Sequence, residues 1–235
     1  PWKELKEASL HAAKSAVPVA IACASAGIVI GIVSMTGLGV RFAQIVFDVS
    51  KGNLFLMLFM TMIACIILGM GLPSTAAYVI AATVAAPALL KAGISPIASN
   101  LFVFYFAIIS FITPPVAMSA YAASGIADSD AMKTGVQAFK LGIAGFIIPY
   151  MFVYYPGLLI VDSSFFSSLY ALIIALSSVI LIATSFEGWF NKNLKLPIRL
   201  IMFMLGCAML IPNLILNISG IILTISIFVY LKYRK

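Results

Sequence analysis

Charged side chains are scarce in this sequence. Asp, Glu, Lys and Arg make up 9% of the residues, whereas 63% are hydrophobic and the mean hydropathy is +1.17. Soluble domains carry about 25% charged residues, so this composition excludes a water-soluble fold. The apolar runs are long enough to cross a bilayer, because about 20 residues span a hydrocarbon core of about 30 Å. We therefore expect an all-α polytopic membrane protein embedded in a lipid bilayer.

Acidic residues and histidine are the scarcest polar residues, with seven Asp or Glu and one His in the chain. The acids all fall at the ends of apolar runs or in loops: Glu4, Glu7, Asp48, Asp128, Asp130, Asp162 and Glu187. No carboxylate pair is expected at membrane depth, which disfavours a proton relay within this segment. Acid–base catalysis would need such a pair, and nucleophilic catalysis would need a His near a Ser or Cys. We therefore expect neither an enzyme nor a bound cofactor.

Cysteine is equally sparse. Cys23, Cys65 and Cys207 are widely spaced and lie within apolar segments. Three such residues match neither a disulfide framework nor a metal-ligand motif, so we expect them to be small buried hydrophobic side chains. The only metal ion that the sequence leads us to expect is a coupling cation.

Basic residues outnumber acidic ones and give a net charge of +7. They lie at the ends of apolar runs and form no basic–aromatic face, so we expect no nucleic-acid partner. If residues 53–90 form a hairpin that enters and leaves on one side, eleven of the fourteen Lys and Arg residues fall on one face of the membrane. Arg41, Lys51 and Lys91 fall on the other face. By the positive-inside rule the first face is cytoplasmic, and the hairpin opens outward.

The N-terminal part of the chain divides into two predicted elements. Residues 1–15 are typical of an amphipathic interfacial segment, and a first span follows over about residues 16–37. Within that span Gly27 and Gly31 have the G-x-x-x-G spacing. This spacing lets another helix approach closely, although it also arises by chance in a Gly-rich membrane protein.

The rest of the chain alternates apolar runs with short polar stretches. A loop carrying Arg41, Asp48 and Lys51 is expected first, and two apolar arms follow over about 53–70 and 74–90. Residues 96–127 would measure about 48 Å as one helix, which is too long for a bilayer. Further spans are predicted at about 138–161, at about 165–184, and as a pair within 198–231.

Two breaks interrupt runs that otherwise resemble continuous membrane helices. The first is Gly69-Met70-Gly71-Leu72-Pro73-Ser74-Thr75, between the arms of the hairpin, and the second is Thr113-Pro114-Pro115. Freed backbone N–H and C=O groups are costly in hydrocarbon, so such breaks persist only where they are buried in protein or line a polar cavity. Two of them indicate a binding site near the middle of the bilayer. The alternative interpretation is a pair of ordinary helix kinks.

The residue types at the breaks suit an anion. Thr113-Pro114 has the form of an N-cap followed by proline at the first helical position, and Pro73-Ser74-Thr75 similarly starts the second arm of the hairpin. Two helix N-termini would then lie at depth, each with unpaired N–H groups and a partial positive charge. Such ends favour an anion, for example a carboxylate.

The same breaks also suit a cation. The preceding half-helices are expected to end at about Met70 and Ile112, where they offer orphan carbonyl groups. With the hydroxyls of Ser74, Thr75 and Thr113, these carbonyls would form an oxygen cage for Na⁺. The sequence therefore predicts the geometry of cation–anion symport.

The residues around the breaks also carry a family resemblance. Its three stretches are LGMGLPSTAAYVIAATVAAPAL (68–89), FVFYFAIISFITPPVAMSAYAASGIAD (102–128) and MKTGVQAFKLGIAGFIIPYMFVYYPGLLI (132–160). They resemble the large membrane subunit of tripartite ATP-independent periplasmic (TRAP) transporters, and most closely the fused permeases that work with TAXI-type binding proteins. The resemblance covers roughly residues 10–160. Residues 161–235 resemble only loosely the variable C-terminal extension of such permeases.

The resemblance implies the second inverted repeat of an elevator-type, ion-coupled transporter. Residues 16–161 would be the permease repeat, with a re-entrant hairpin at 53–90 and a broken helix at 96–127, and residues 162–235 would be extra C-terminal membrane helices. By position in the family, the implied ion-binding residues are Gly71, Ser74, Thr75, Thr113 and Pro114. The implied substrate-binding residues are Ser74, Thr75, Ala76, Pro115 and Met118.

The resemblance also implies a function and a location. The protein would import a small organic anion, a dicarboxylate or amino acid, across the cytoplasmic (inner) membrane of a bacterium or archaeon. A cation gradient would drive the transport, and the lack of buried acids favours Na⁺. An extracytoplasmic substrate-binding protein would deliver the substrate.

The chain starts at Pro1 rather than Met and contains no first repeat, so we expect it to be the C-terminal part of a longer permease. Its further partners would be the remaining permease half and a small membrane subunit or its fused equivalent. Two alternatives stay open, namely a one-component cation–carboxylate symporter of related architecture and a non-transporting membrane scaffold subunit.

Overall fold

A computed structural model describes residues 2–161, 163–190 and 192–233. Within them the fold is all-α, as the composition predicts, apart from one antiparallel pair of two-residue strands. The helices are α1 (Trp2–Thr36), α2 (Leu38–Ser50), α3 (Leu54–Gly69), α4 (Ser74–Lys91), α5 (Pro96–Ile109), α6 (Met118–Ile126), α7 (Ala131–Leu141), α8 (Ile143–Tyr154), α9 (Phe165–Glu187), α10 (Leu196–Ala208) and α11 (Leu214–Tyr233). The strands are β1 (Trp189–Phe190) and β2 (Lys192–Asn193), and 3₁₀ turns cover Ser110–Ile112 and Pro156–Leu159.

Several helices are long and apolar enough to cross a membrane. Among the described residues these are Ser74–Lys91, Ala131–Tyr154 and Phe165–Glu187, and the bent pair Ala24–Thr36 and Leu38–Ser50 adds a fourth if it forms one span. Shorter apolar helices lie between them, including α3 and α5. At 1.5 Å per residue α4 measures about 27 Å, close to the thickness of the hydrocarbon core.

The two arms of the predicted hairpin, α3 and α4, pack on each other and on α5 to form the main core. Ala77, Ala81 and Ala85 recur at every fourth position of α4, and all three are fully buried. Small side chains at this spacing allow the close helix approach on which packing depends inside a bilayer. Phe102 and Phe106 of α5 fill the space beside them, with ring centroids 4.8 Å apart. The arms agree with the predicted bounds to within one residue at all four ends.

The loop predicted around Arg41, Asp48 and Lys51 is wrong, because the chain forms helix α2 there. The missed signal is a helical spacing of buried residues, namely Gly39, Ala43, Val46 and Ser50. At Gly39 an added Cβ would lie 2.5 Å from the carbonyl oxygen of Thr83 in α4. This contact requires glycine and holds α2 against the second arm of the hairpin. The bend between α1 and α2 is 65°.

Helix α1 is continuous over 35 residues. The predicted interfacial segment 1–15 and the predicted span 16–37 are thus parts of one helix, and no break separates them. An added Cβ at Gly27 or Gly31 would meet nothing within 4 Å. The G-x-x-x-G spacing therefore serves no close helix contact among the described residues of this chain.

The span predicted over 138–161 begins and ends earlier, as Ala131–Tyr154. Asp130 caps its start, since its carboxylate accepts a hydrogen bond from the N–H of Lys133 at 2.8 Å. Pro156 follows its end, where proline removes a backbone donor and cannot continue the helix. The first turns of α7 are polar, so the hydropathy pattern placed the start of the span too late.

The prediction of buried cysteine side chains is confirmed for Cys65 and only in part for Cys207. Cys65 is fully buried, Cys207 is half-buried, and both are free thiols. The side chain of Cys23 and the predicted loop acid Asp162 lie outside the described part of the chain.

The C-terminal helices form a second core, with α9 predicted nearly to its bounds and the final pair present as α10 and α11. Tyr155, which directly follows α8, forms hydrogen bonds that connect α8 to α10 and α11. Its hydroxyl donates to the carbonyl oxygens of Met209 and Ile211 at 2.9 and 3.1 Å. It also accepts a hydrogen bond of 2.8 Å from the side-chain amide of Asn217, which is fully buried in α11. The same amide donates to the hydroxyl of Tyr170 at 2.9 Å.

We expect Tyr155→Phe to lower the stability of the protein more than Tyr170→Phe does. Tyr155→Phe removes a partner from two carbonyl groups and from Asn217, whereas Tyr170→Phe removes a partner from Asn217 alone. A buried polar group left without a partner costs about 1–3 kcal/mol. The measurement is the melting temperature of the purified variants in the same detergent. Equal melting temperatures of the two variants would contradict a central role for Tyr155.

Candidate functional site

The first predicted break is confirmed as the tip of the hairpin. Helix α3 ends at Gly69, and Met70 that follows it is extended. Gly71 has φ of +78°, a conformation that glycine adopts without strain. Pro73 precedes the first residue of α4, Ser74, as predicted, and Pro73 provides no side-chain cap. The first two residues of α4, Ser74 and Thr75, are exposed at the tip.

The second predicted break is also present, but its second half-helix begins later than predicted. Helix α5 continues as a 3₁₀ turn to Ile112, and α6 does not start until Met118. The predicted N-cap at Thr113 is wrong, because the Thr113 hydroxyl donates backwards to the carbonyl oxygen of Ile109 at 2.8 Å. A proline disfavours the helical conformation of the residue before it, so Pro115 prevents a helix from starting at Pro114. The Pro114–Pro115 peptide bond is cis.

The structure brings the two breaks together through the ends of α3 and α5. An added Cβ at Gly69 would lie 2.5 Å from the carbonyl oxygen of Ala107 and 2.8 Å from the hydroxyl oxygen of Ser110. Only glycine allows this approach. Ser110 is 1% exposed, and its hydroxyl donates to the Ala107 carbonyl at 2.6 Å. The C-terminal ends of both half-helices therefore meet at one buried point.

The unwound stretch at 113–117 is held from its other side by α6 and α7. The hydroxyl of Tyr121 donates to the carbonyl oxygen of Pro115. An added Cβ at Gly135 of α7 would lie 3.2 Å from the ring of Tyr121 and 3.7 Å from the ring of Pro114. This glycine lets α7 close over the break. The stretch is thus in contact with α6 and α7, although Pro115 itself remains exposed.

Sequence reasoning missed three residues of this site, namely Ser110, Tyr121 and Gly135. For Gly135 a signal existed, because Gly142 and Gly145 follow it at seven and ten residues, which places all three on one helical face. Added Cβ atoms at Gly142 and Gly145 would touch the side chains of Ile112 and Ile109. No local pattern marks Ser110 or Tyr121, since their roles depend on tertiary contacts.

The predicted site residues differ in exposure. Exposed residues are Gly71, Ser74, Thr75, Pro115 and Met118, and half-buried residues are Thr113 and Pro114. Ala76 is 1% exposed and packs with Ala26 of α1 and Ile80. That Ala76 flanks a substrate stays a prediction, and its buried side chain leaves the backbone N–H as the group that could contact a ligand.

The arrangement can bind a cation with oxygen atoms. The hydroxyls of Ser110 and Thr113 donate their hydrogens to helix carbonyls, which leaves lone pairs on both oxygens. The C-terminal ends of α3 and α5 add partial negative charge at the same place. The N-terminus of α4 carries the opposite partial charge and suits an anionic group.

In the described part of the chain, no Asp or Glu residue belongs to this site. Glu4, Glu7, Asp48, Asp128, Asp130 and Glu187 are all exposed. Asp130 caps α7, and the described residues contain no cluster of three His, Cys, Asp or Glu that could hold a metal ion. The chemistry at the breaks therefore depends on hydroxyl groups, carbonyl groups and helix termini.

Comparison with known families agrees with this geometry. Residues 1–167 match the family described as tripartite ATP-independent periplasmic transporter, DctM component. The chain belongs to the DctM family. The match includes both breaks and the helices that enclose them, whereas α10, α11 and most of α9 lie beyond it. No curated protein and no solved structure matches the chain.

Membership of the DctM family makes the chain a TRAP transporter permease and a multi-pass membrane protein. The family is one of transporters and not of enzymes. Its members generally work with a substrate-binding protein and a small membrane subunit. Both breaks of this DctM chain therefore lie in the part that a transport family shares.

We expect Gly69→Ala to destabilise the permease, whereas Gly27→Ala, in the interior of an exposed helix, does not. The first Cβ would overlap the backbone at Ala107, and the second would meet nothing within 4 Å. Overpacking of this kind costs about 1–3 kcal/mol. The measurement is the melting temperature of both variants beside the unchanged protein. A Gly69→Ala variant that melts with the unchanged protein would show that the ends of α3 and α5 do not touch.

Proposed function

We propose that this chain is the C-terminal part of a fused, TAXI-type TRAP permease that imports a small organic anion with Na⁺. The anion would be of the dicarboxylate or amino-acid class. The permease would act in the cytoplasmic membrane of a bacterium or archaeon, with the remaining permease half and a small-subunit equivalent. An extracytoplasmic binding protein would deliver the substrate.

The observation that carries this proposal is the contact of Gly69 with Ala107 and Ser110. It joins two helix C-termini at one buried point, next to an unwound stretch that α6 and α7 contact. Discontinuous helices of this kind form the ion and substrate sites of secondary transporters. An ordinary kink needs no second kink beside it, so the pairing of the two breaks favours the transport interpretation.

The choice of Na⁺ is supported by the donor atoms. Hydroxyl and carbonyl oxygens are hard, neutral ligands that suit an alkali cation, and they cannot take up a proton near neutral pH. Proton-coupled transporters use carboxylates or histidines within the membrane. In the described residues every carboxylate is exposed, and so is the single histidine, His11. The proposed ion-binding residues are Gly71, Ser74, Thr75, Thr113 and Pro114.

The choice of an anionic substrate is supported by the N-terminus of α4. Its first N–H groups lie at the exposed hairpin tip, where the helix dipole favours negative charge. The hydroxyl of Ser74 adds a donor at the same place. The proposed substrate-binding residues are Ser74, Thr75, Ala76 through its N–H, Pro115 and Met118.

We expect Ser74→Ala and Thr113→Val to weaken Na⁺-dependent uptake by the complete permease. Each removes one oxygen ligand, and a lost contact to a charged group raises the half-saturating Na⁺ concentration by about ten-fold. The measurement is uptake of a labelled dicarboxylate into proteoliposomes at varied Na⁺.

Thr83→Val is the matched control for Thr113→Val. Thr83 is half-buried like Thr113, and its hydroxyl likewise donates to a carbonyl four residues earlier, at 2.8 Å, although Thr83 lies within a helix. It lies in the middle of α4, away from both breaks. Unchanged Na⁺ dependence in both site variants, or an equal loss in Thr83→Val, would contradict the proposed ion site.

Dependence of uptake on the binding protein distinguishes the proposal from its alternatives. We expect uptake in proteoliposomes only when the binding protein encoded with the permease is added to the outside. Uptake without that protein would favour a one-component symporter. Absence of uptake with each binding protein, cation gradient and substrate class would favour a non-transporting scaffold subunit.

A further inference from the structure

We propose that the groove between α9 and α10 binds one anionic phospholipid, with Arg199 holding the phosphate group and the apolar wall holding part of an acyl chain. The groove has a volume of about 240 Å³ and is lined by Ser185, Phe186, Leu196, Arg199, Leu200 and Phe203. It lies in the C-terminal helices, beyond the residues that match the DctM family.

The guanidinium group of Arg199 is held in a fixed position. Its Nε donates to the carbonyl oxygen of Ser185 at 2.7 Å, and one terminal nitrogen, Nη2, donates to that of Phe186 at 2.9 Å. The Ser185 hydroxyl in turn donates to the carbonyl oxygen of Arg199 at 2.7 Å. An added Cβ at Gly188 would lie 2.8 Å from the guanidinium carbon, so a glycine makes room for the group.

Part of this guanidinium group remains available to a ligand. No described residue accepts a hydrogen bond from Nη1 of Arg199. Carbonyl groups at the C-terminal end of α9 occupy the Nε and Nη2 edge of the guanidinium group. The Nη1 side has no such partner among the described residues, and Arg199 lines the groove. A planar guanidinium group with unpaired N–H donors suits the oxygen atoms of a phosphate group.

The surroundings favour negative charge. Lys195 is exposed and is the N-cap residue of α10, four residues before Arg199, so it adds a second positive charge near the start of this helix. The stretch 187–199 contains three basic residues and one acidic residue, Glu187. Basic pockets between membrane helices at the cytoplasmic face bind anionic head groups, and the charge distribution places this turn at that face.

The remainder of the groove suits an acyl chain. Leu196 and Leu200 are 65% and 55% exposed, and Phe203 packs edge to face against Phe186 at the groove wall with ring centroids 5.7 Å apart. Trp189, in the turn between α9 and α10, is 56% exposed, as expected for an aromatic anchor at the membrane interface. A phosphate beside a continuous apolar wall is the chemistry of a phospholipid and not of a free phosphate ion.

The test is lipid binding by the purified complete permease, counted by native mass spectrometry during titration with phosphatidylglycerol. We expect tighter binding of phosphatidylglycerol than of phosphatidylcholine, by about five-fold for one favourable basic contact. Arg199→Gln should weaken phosphatidylglycerol binding by about ten-fold, because a charge-assisted contact is lost. Leu200→Trp should weaken binding of both lipids by filling the groove, while it leaves the hydrogen bonds of Arg199 intact.

Two controls make the test decisive. Lys14→Gln removes the same charge from α1, which packs against α2 and α4, so it should not change lipid binding. Soluble glycerol 3-phosphate should not displace the lipid. Equal losses in Arg199→Gln and Lys14→Gln, equal affinity for the two lipids, displacement by glycerol 3-phosphate, or unchanged binding in Leu200→Trp would each overturn the proposal. The Leu200→Trp result holds even if Arg199→Gln fails to fold.

Discussion

Bare backbone in hydrocarbon is the constraint on which this structure depends. No water is present at membrane depth, so each N–H and C=O group freed by a helix break must find a partner in the protein or line a polar cavity. The chain has two such breaks, and the fold gathers helices around both of them. The ends of α3 and α5 meet at Gly69, while α6 and α7 close over residues 113–117.

Glycine makes these contacts possible where a neighbouring element comes too close for a side chain. Gly69 admits the carbonyl of Ala107, Gly39 admits that of Thr83, and Gly135 admits the ring of Tyr121. In a bilayer, helices gain little by hiding apolar surface from water, so association relies on close packing. A larger side chain at any of these points would separate the helices that surround the breaks.

The sequence predicts well those features that are local. Gly71 and Pro73 end one arm and start the next, so the hairpin bounds follow from the chemistry of these residues. Helix α2 was missed because Arg41 and Asp48 suggested a loop, although its buried residues recur with helical spacing. The start of α6 was misplaced because the pattern of an N-cap followed by proline ignored the second proline, which excludes helix before it.

The composition of the site could be predicted only in part, because its parts lie far apart in the sequence. Thr113 and Ser74 are visible as hydroxyl residues at breaks. Ser110, in contrast, lies near the end of an apolar run with no local pattern that marks it. Only the fold shows that it contacts Gly69. For Ala76 the sequence does not reveal that its side chain packs with Ala26 of α1.

The C-terminal helices are coupled to the permease by a small number of buried hydrogen bonds. Tyr155 follows α8 directly, and its hydroxyl reaches Met209 at the end of α10 and Asn217 within α11. Separation of α8 from this core would leave several buried polar groups without partners, at about 1–3 kcal/mol for each. Any displacement of α8 during transport therefore either carries α10 and α11 with it or meets that cost. Because α9 and α10 pack closely along their length, the groove at Arg199 would move with the same body.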